Sequence, residues 1–165
     1  MMKAIAAVCE NLAIGKNNSL LVSIPEDMKF FRETTLGGTV IMGRKTLESF
    51  PQGRPLKNRV NIVITKDKTY APEGVIVVHD TENAVKAAKQ YGEDNIFVIG
   101  GESIYRQMIP LCDTVYITKI GLAPEADAFF PDLDSDPAWK IAAQSEVKEY
   151  EGIRYSFQTY VRARG

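Results

Sequence analysis

The sequence predicts an α/β domain: a central mixed, mostly parallel sheet with helices on both faces and an antiparallel hairpin at the C-terminal end. Three observations carry that expectation. Continuous apolar runs at residues 4–8, 39–42 and 95–99 have the pattern of strands covered on both sides. Segments with helical spacing or helix-start residues lie between such runs, so strand and helix alternate along the chain. Finally, residues 140–147 and 154–161 face each other about Glu151-Gly152, as an antiparallel pair does.

At 165 residues the chain fits one domain, residues 1–165, with no repeat, linker or low-complexity segment. A net charge of -1 provides no global field to recruit nucleic acid or an anionic membrane, so any anion site must be built locally. The first apolar run is too short for a signal peptide and far too short to span a bilayer. Cys9 and Cys112 are the only cysteines, far apart and without metal-ligand spacing. They read as buried reduced thiols, consistent with a cytoplasmic setting and no metal. The single histidine, His79, ends an apolar run and reads as a strand-end surface residue.

After the first strand, a long loop rich in turn formers runs through Ile14-Gly15-Lys16-Asn17-Asn18-Ser19. It leads to a helix opening at Ser23. Ser23 and Glu26 have the spacing of a capping box, and Pro25 suits a first turn. Wound as a helix, Ile24, Asp27, Met28 and Phe31 share one face. Asp27 interrupts that apolar stripe: either it sits at the stripe's edge and helps cap the helix, or its partner is a ligand.

The strand at 39–42 runs into Gly43-Arg44-Lys45-Thr46, and Leu47 and Phe50 place a short helix opening near Thr46. Strand, glycine, two cations, hydroxyl and helix start make either an anion site or a solvated turn. A polar loop at 52–59 precedes strands at 61–65 and 75–78, with Lys66 turning out of the first. A helix follows over 81–91, stopped by Gly92, with Ala84, Val85 and Ala88 on one face. Gly100-Gly101 then repeats the strand–glycine–helix design, without the G-x-G-x-x-G spacing of a Rossmann fingerprint. Pro110 ends that helix, residues 114–120 alternate as a strand, and 126–132 form a loop with aromatic anchors.

An acid on an apolar face, two glycine-containing strand-to-helix turns and scattered cations suit an anionic dinucleotide beside a flat, protonatable heterocycle. Along essentially its whole length the chain resembles the dihydrofolate reductases of the monomeric bacterial chromosomal type. The matching segments, in order, are Ile5-Ala6-Ala7, Ala13-Ile14-Gly15, Ile24-Pro25-Glu26-Asp27, residues 40–49, Leu56-Lys57-Asn58-Arg59, Ile99-Gly100-Gly101 and Phe130-Pro131-Asp132. Each is weak alone; the order and spacing of all of them are specific.

The resemblance implies hydride transfer from NADPH to 7,8-dihydrofolate, giving tetrahydrofolate for one-carbon and thymidylate metabolism. Asp27 falls on the family's only ionisable residue in the pterin pocket, and Thr118 on the threonine that supports it. Ile5, Met28, Phe31, Phe50, Leu56 and Ile99 match the apolar walls around the pterin and benzoyl groups. Arg59 matches the arginine that grips the substrate's α-carboxylate. For the cofactor, Ala7, Ile14 and Gly15 match positions whose backbone meets the nicotinamide. Gly100 and Gly101, joined by a cis peptide in the family, lie at the pyrophosphate with Ser103 and Tyr105 of the following helix. Arg44, Lys45, Thr46, Thr65 and Lys66 match the phosphate pocket, within an adenosine-binding subdomain spanning roughly 39–90. Asp127 matches an acid that hydrogen-bonds the mobile loop.

The chain departs from the family at Leu20-Leu21-Val22, where leucine or methionine, proline and tryptophan are usual; Ala126 replaces a common glycine. These departures bear on loop closure, on proton delivery and on sensitivity to antifolates such as trimethoprim. The expected partners are dihydrofolate and antifolate inhibitors, and the expected state is a monomer. Two alternatives stay open: a reductase of another heterocycle, and a catalytically idle pterin- or nucleotide-binding protein.

Overall fold

A nine-stranded sheet organises the chain, seen in a computed structural model that describes residues 2–17, 19 and 21–163. In order, the elements are β1 (Met2–Cys9), β2 (Ala13–Gly15), α1 (Pro25–Thr35), β3 (Thr39–Gly43) and α2 (Arg44–Ser49). Then come β4 (Val60–Ile64), β5 (Ile76–Val78), α3 (Thr81–Lys89), β6 (Ile96–Gly100) and α4 (Glu102–Met108). The last are β7 (Cys112–Ile120), β8 (Ala128–Phe129), β9 (Trp139–Gln144), β10 (Lys148–Tyr150) and β11 (Ile153–Arg162). Spatially the sheet runs β10-β11-β7-β1-β6-β3-β4-β5, with β9 also on β11. Neighbours from β7 to β5 are parallel, and β11 joins antiparallel to β7, β9 and β10.

The apolar runs are continuous because each strand feeds two cores. Val40 and Met42 of β3, Phe97 and Ile99 of β6, and Val63 of β4 pack with Phe30 and Phe31 of α1 and Leu47 of α2. Their neighbours Ile41, Val98 and Ile62 point the other way, onto Ala84 and Ala88 of α3 and Ile104 and Met108 of α4. Ile41 has no exposed surface, and truncating such a residue to alanine costs about 2–5 kcal/mol.

Four local expectations need correcting. The capping box does not form: Ile24 is the N-cap of α1 with no side-chain hydrogen bond, and Ser23 Oγ donates instead to Met28 Sδ at 2.8 Å. Glu26 is turned away, accepting from the Tyr155 hydroxyl at 2.8 Å. α2 opens at Arg44, two residues before Thr46. α4 ends at Met108, and a 3-10 turn at Ile109–Leu111 carries the chain past Pro110, whose missing N–H suits the start of a tighter turn.

The expected strand at 140–147 is broken. Ser145 still donates its N–H to the Phe157 carbonyl at 2.8 Å, but its Oγ, not a backbone carbonyl, accepts the Phe157 N–H at 2.9 Å, and regular pairing resumes at β10. The small β2–β8 pair, joining the long loop to residues 128–129, was not expected from the sequence. Cys9 and Cys112 are buried free thiols, and His79 is exposed past the end of β5. Among the described residues, no helix is long and apolar enough to cross a membrane.

Candidate active site

α1 lies against β7 and β11: Phe30 packs on Phe157 at 5.1 Å with the rings tilted by 43° and meets the Tyr116 ring edge-on at 6.0 Å. That docking brings the half-buried Asp27 to Thr118, whose hydroxyl donates to Asp27 Oδ1 at 2.6 Å. Burial pushes the Asp27 carboxyl above its ordinary range, and the Thr118 hydrogen bond offsets part of that rise. Around the acid stands an apolar wall. Ile5 and Ile99 are buried, and Phe31, Phe50 and Leu56 pack in the same cluster. Met28 stands outside that cluster with 51% of its surface exposed.

Arg59 is held at the far end of α1. Its Nε donates to Thr35 Oγ1 at 2.8 Å, and its terminal nitrogens donate to the carbonyls of Lys57 at 2.7 Å and Arg32 at 3.1 Å. A guanidinium has five N–H donors, so one remains on each terminal nitrogen, the complement of a carboxylate's two oxygens. Burial and the neighbouring Arg32 charge lower the Arg59 pKa, so an anion there is favoured. The buried Asn61 side chain fixes this loop, donating to the carbonyls of Leu56 and Arg59 and accepting the Leu56 N–H.

The two glycine turns adjoin. A Cβ on Gly101 would lie 3.6 Å from Thr46 Oγ1, and the helices beginning there carry no side-chain caps, leaving backbone N–H groups free. The Gly100–Gly101 peptide is cis. Gly100 has a φ of +115°, and a Cβ would come within 3.1 Å of the Tyr105 ring, so both conformation and space demand glycine. Tyr105 is buried, with its hydroxyl donating to the Ile5 carbonyl at 2.7 Å and its pKa raised by burial.

Lys45 and Lys66 are exposed and make no ion pair with the described residues. Arg44 is already engaged, 3.0 Å from both Glu48 and Asp67 and stacked on Tyr70 at 4.2 Å. The Thr65 carbonyl accepts from His79 Nδ1 at 2.7 Å, and Ser103 Oγ is taken by Gln107.

Ala7, Ile14, Leu21 and Val22 meet around a small void beside Cys9, Ala13 and Ile120. Leu20 lies outside the described residues. Gly15 accepts the Asp127 N–H at 3.1 Å, and the Asp127 carboxylate accepts the Asn17 N–H at 2.9 Å, so the loop is tied to the segment before β8. A broader surface hollow between β5 and α3, lined by Val77, Asn83 and Lys86 among others, contains none of these site residues. The sequence reading had no signal for Asn61, for Glu102 (which accepts the Phe129 N–H at 2.6 Å) or for the Glu26–Tyr155 bond. The last two join residues that only the fold brings together, whereas Asn61 bonds within its own loop.

Fold and site together define an α/β protein with an acid on one helix and two glycine turns at neighbouring strand ends. A family model described as dihydrofolate reductase matches residues 1–162. The dihydrofolate reductase of Neisseria meningitidis serogroup B is 42% identical over 159 residues, covering 96% of each chain. That of Bacillus subtilis is 36% identical over 158 residues, 96% of this chain and 91% of its own. The solved dihydrofolate reductase of Enterococcus faecalis, complexed with NADP(H) and RAB-propyl, superposes with a TM-score of 0.88 at 36% identity, covering 99% of this chain and 97% of its own. The chain belongs to the dihydrofolate reductase family.

Proposed function

We propose that this site reduces 7,8-dihydrofolate to 5,6,7,8-tetrahydrofolate with NADPH, and that the observation carrying the reading is the Asp27 carboxyl held by Thr118 beside an apolar wall. A pterin is flat, apolar on its faces and rich in N–H donors on one edge. Its faces suit Ile5, Phe31, Phe50, Leu56 and Ile99, and its donor edge suits a carboxylate. Arg59 takes the α-carboxylate of the glutamate tail with its two remaining N–H groups. Asp27, the ionisable group of this pocket, favours protonation of the ring nitrogen next to the hydride acceptor, and burial tunes it for that exchange.

The residues fit the cofactor. Gly100, Gly101 and Gly43 let backbone approach, and Thr46 with the free N–H groups of two helix starts offers donors to a pyrophosphate. Lys45, Lys66 and Thr65 supply the 2′-phosphate contacts, within an adenosine-binding subdomain of residues 39–90. Bound there, NADPH supplies the hydride. Ala7, Ile14 and Gly15 orient the nicotinamide, and the loop tied by Asp127 excludes water. The Enterococcus relative's NADP(H) complex, at 36% identity, supports the same choice of cofactor.

The remaining assignments are a monomer, working in the cytoplasm, that feeds one-carbon and thymidylate metabolism and is open to antifolates. The deciding experiment is NADPH oxidation by the purified chain with and without dihydrofolate. Oxidation that requires dihydrofolate is the expected result. Binding of both ligands without oxidation would identify an idle binding protein, and oxidation only with another heterocycle would move the chain to a different reductase.

A further inference from the structure

Two hydrogen bonds reach the first turn of α1 from neighbouring strands. Thr118 on β7 donates to Asp27, and Tyr155 on β11 donates to Glu26 at 2.8 Å. Phe157 pairs opposite Thr118 and Tyr155 opposite Ile120, so Thr118, Tyr155 and Phe157 project from the same sheet face. Lys148 of β10 approaches the other Glu26 oxygen at 3.5 Å. Tyr155 is 7% exposed, its ring packs on Phe157 at 5.8 Å, and Phe157 packs on Phe30 of α1. The phenol therefore cannot follow a shifting helix.

We propose that Tyr155, through Glu26, is a positioning residue for Asp27: it fixes the rotation of α1 about its own axis and so aims the carboxyl oxygen that Thr118 leaves free. The inference rests on the reading of Asp27 given above. Consecutive helical residues project about 100° apart. Phe30 and Phe31 dock the middle of α1, but its first turn is tied at Asp27 by one bond; a second, to the adjacent residue from the adjacent strand, narrows the roll left at that turn. The need is local, because α1 has no side-chain cap to fix its own start. The titratable groups bearing on this turn are Glu26 and Asp27 on the helix, Tyr155 on β11, Lys148 on β10 and Tyr105 on α4.

The test is single-turnover hydride transfer with both ligands saturating. Tyr155→Phe keeps the ring packing and loses only the hydroxyl, and should slow transfer by about three- to tenfold, in line with a small misplacement of a reacting group. The Michaelis constant for NADPH should be unchanged. Glu26→Gln keeps an acceptor for the phenol and should retain most of the rate, whereas Glu26→Ala should match Tyr155→Phe.

The decisive comparison repeats Tyr155→Phe in an Asp27→Asn background, where there is no carboxylate left to aim and no further slowing is expected. Equal slowing in both backgrounds, or in neither, would overturn the proposal. If Asp27→Asn alone left dihydrofolate reduction intact, the reading of Asp27 itself would fail, and the two failures are told apart by that single variant.

Discussion

Thr118 and Asp27 stand 91 positions apart in sequence and 2.6 Å apart in space, with the hydroxyl donating to one carboxyl oxygen and no described residue bonded to the other. The bond divides the labour of the carboxyl: one oxygen is anchored, and in the proposed reading the other is left to a ligand. Asp27→Asn keeps the shape and the anchored oxygen but removes the charge. Hydride transfer at neutral pH should fall by about 10²–10⁴-fold, the range for a lost proton-transfer group, with NADPH affinity nearly unchanged. Parent-like turnover at pH 7 would take Asp27 out of the mechanism.

The same carboxyl sets a stability trade-off. Burial raises its pKa in the folded state above the ordinary value of 3.8, so the folded protein holds this proton more tightly than the unfolded chain does. The favourable contribution is complete below the ordinary value and is lost as pH rises through the raised folded one. At neutral pH Asp27 is therefore a cost. Asp27→Asn should melt higher than the parent at pH 7, and the gap should close as the solution is acidified toward the ordinary carboxylate range. A gain of about 1 kcal/mol would read as roughly 2–4 °C in a chain of this size. Melting curves across pH check it, and a gap that widened in acid would contradict the sign.

Arg59 has only two N–H groups left for a ligand, because Thr35, Lys57 and Arg32 take the other three. Arg59→Ala should cost about 2–5 kcal/mol in dihydrofolate binding, the scale of a carboxylate left unpaired. Arg59→Lys loses the fork and should recover little. A pterin without the glutamate tail should bind both variants as it binds the parent. Equal weakening for tailed and tailless ligands would make Arg59 a purely structural tie.

What could be read in the sequence follows the range of the interactions. Residues 39–42 and 95–99 were legible as two-faced strands because a strand covered on both sides is written as an unbroken apolar run in its own residues. Asp27 stood out as a charge on an apolar face, and the fold gives it Thr118 as a partner, although Met28 of the same face is 51% exposed and the expected stripe is only partly buried. Ser23 and Glu26 misled for the opposite reason. Their spacing fits a cap, but the acceptor went to Tyr155, 129 positions away, and short-range pattern carries no trace of that competition. The break at Ser145 and the clamp at Asn61 depend on which backbone groups the fold leaves unpaired.

Arg44 was another such case. As a cation after a glycine it reads as free, yet it is shared between Glu48 and Asp67. A phosphate must compete with both carboxylates, so Lys66→Ala should raise the Michaelis constant for NADPH more than Arg44→Ala does, and NADH should hardly notice either. Asp67→Asn should lower the constant for NADPH. Its Oδ1 can still accept from Thr69, while an amide facing Arg44 repels the guanidinium and releases it. Added salt should shrink every difference, because these are exposed charges. Parallel changes for both cofactors would place the three residues at the pyrophosphate or in the scaffold.

Leu21 and Val22 pack in the cluster that includes Ile24 of α1, close to Asp27 in the chain, and line the small void next to Ala7 and Ile14. Neither side chain can donate a hydrogen bond. The proline and tryptophan that the family resemblance leads one to expect here would stiffen the loop through a fixed φ and offer an indole N–H able to hold a water near the acid. A water held that way contributes nearly as much as a direct bond, so its loss changes ligand affinity by about 1 kcal/mol. Diaminopyrimidine antifolates carry N–H donors that would suit the same carboxylate. We therefore expect weaker trimethoprim binding than in relatives with the tryptophan, with the bulk of Phe50 adding to the effect. Val22→Trp, alone and with Leu21→Pro, should tighten trimethoprim by roughly tenfold or less while changing dihydrofolate turnover far less. Inhibitor titrations on the parent and both variants decide it: unchanged affinity in both would show that the two positions are neutral toward the drug.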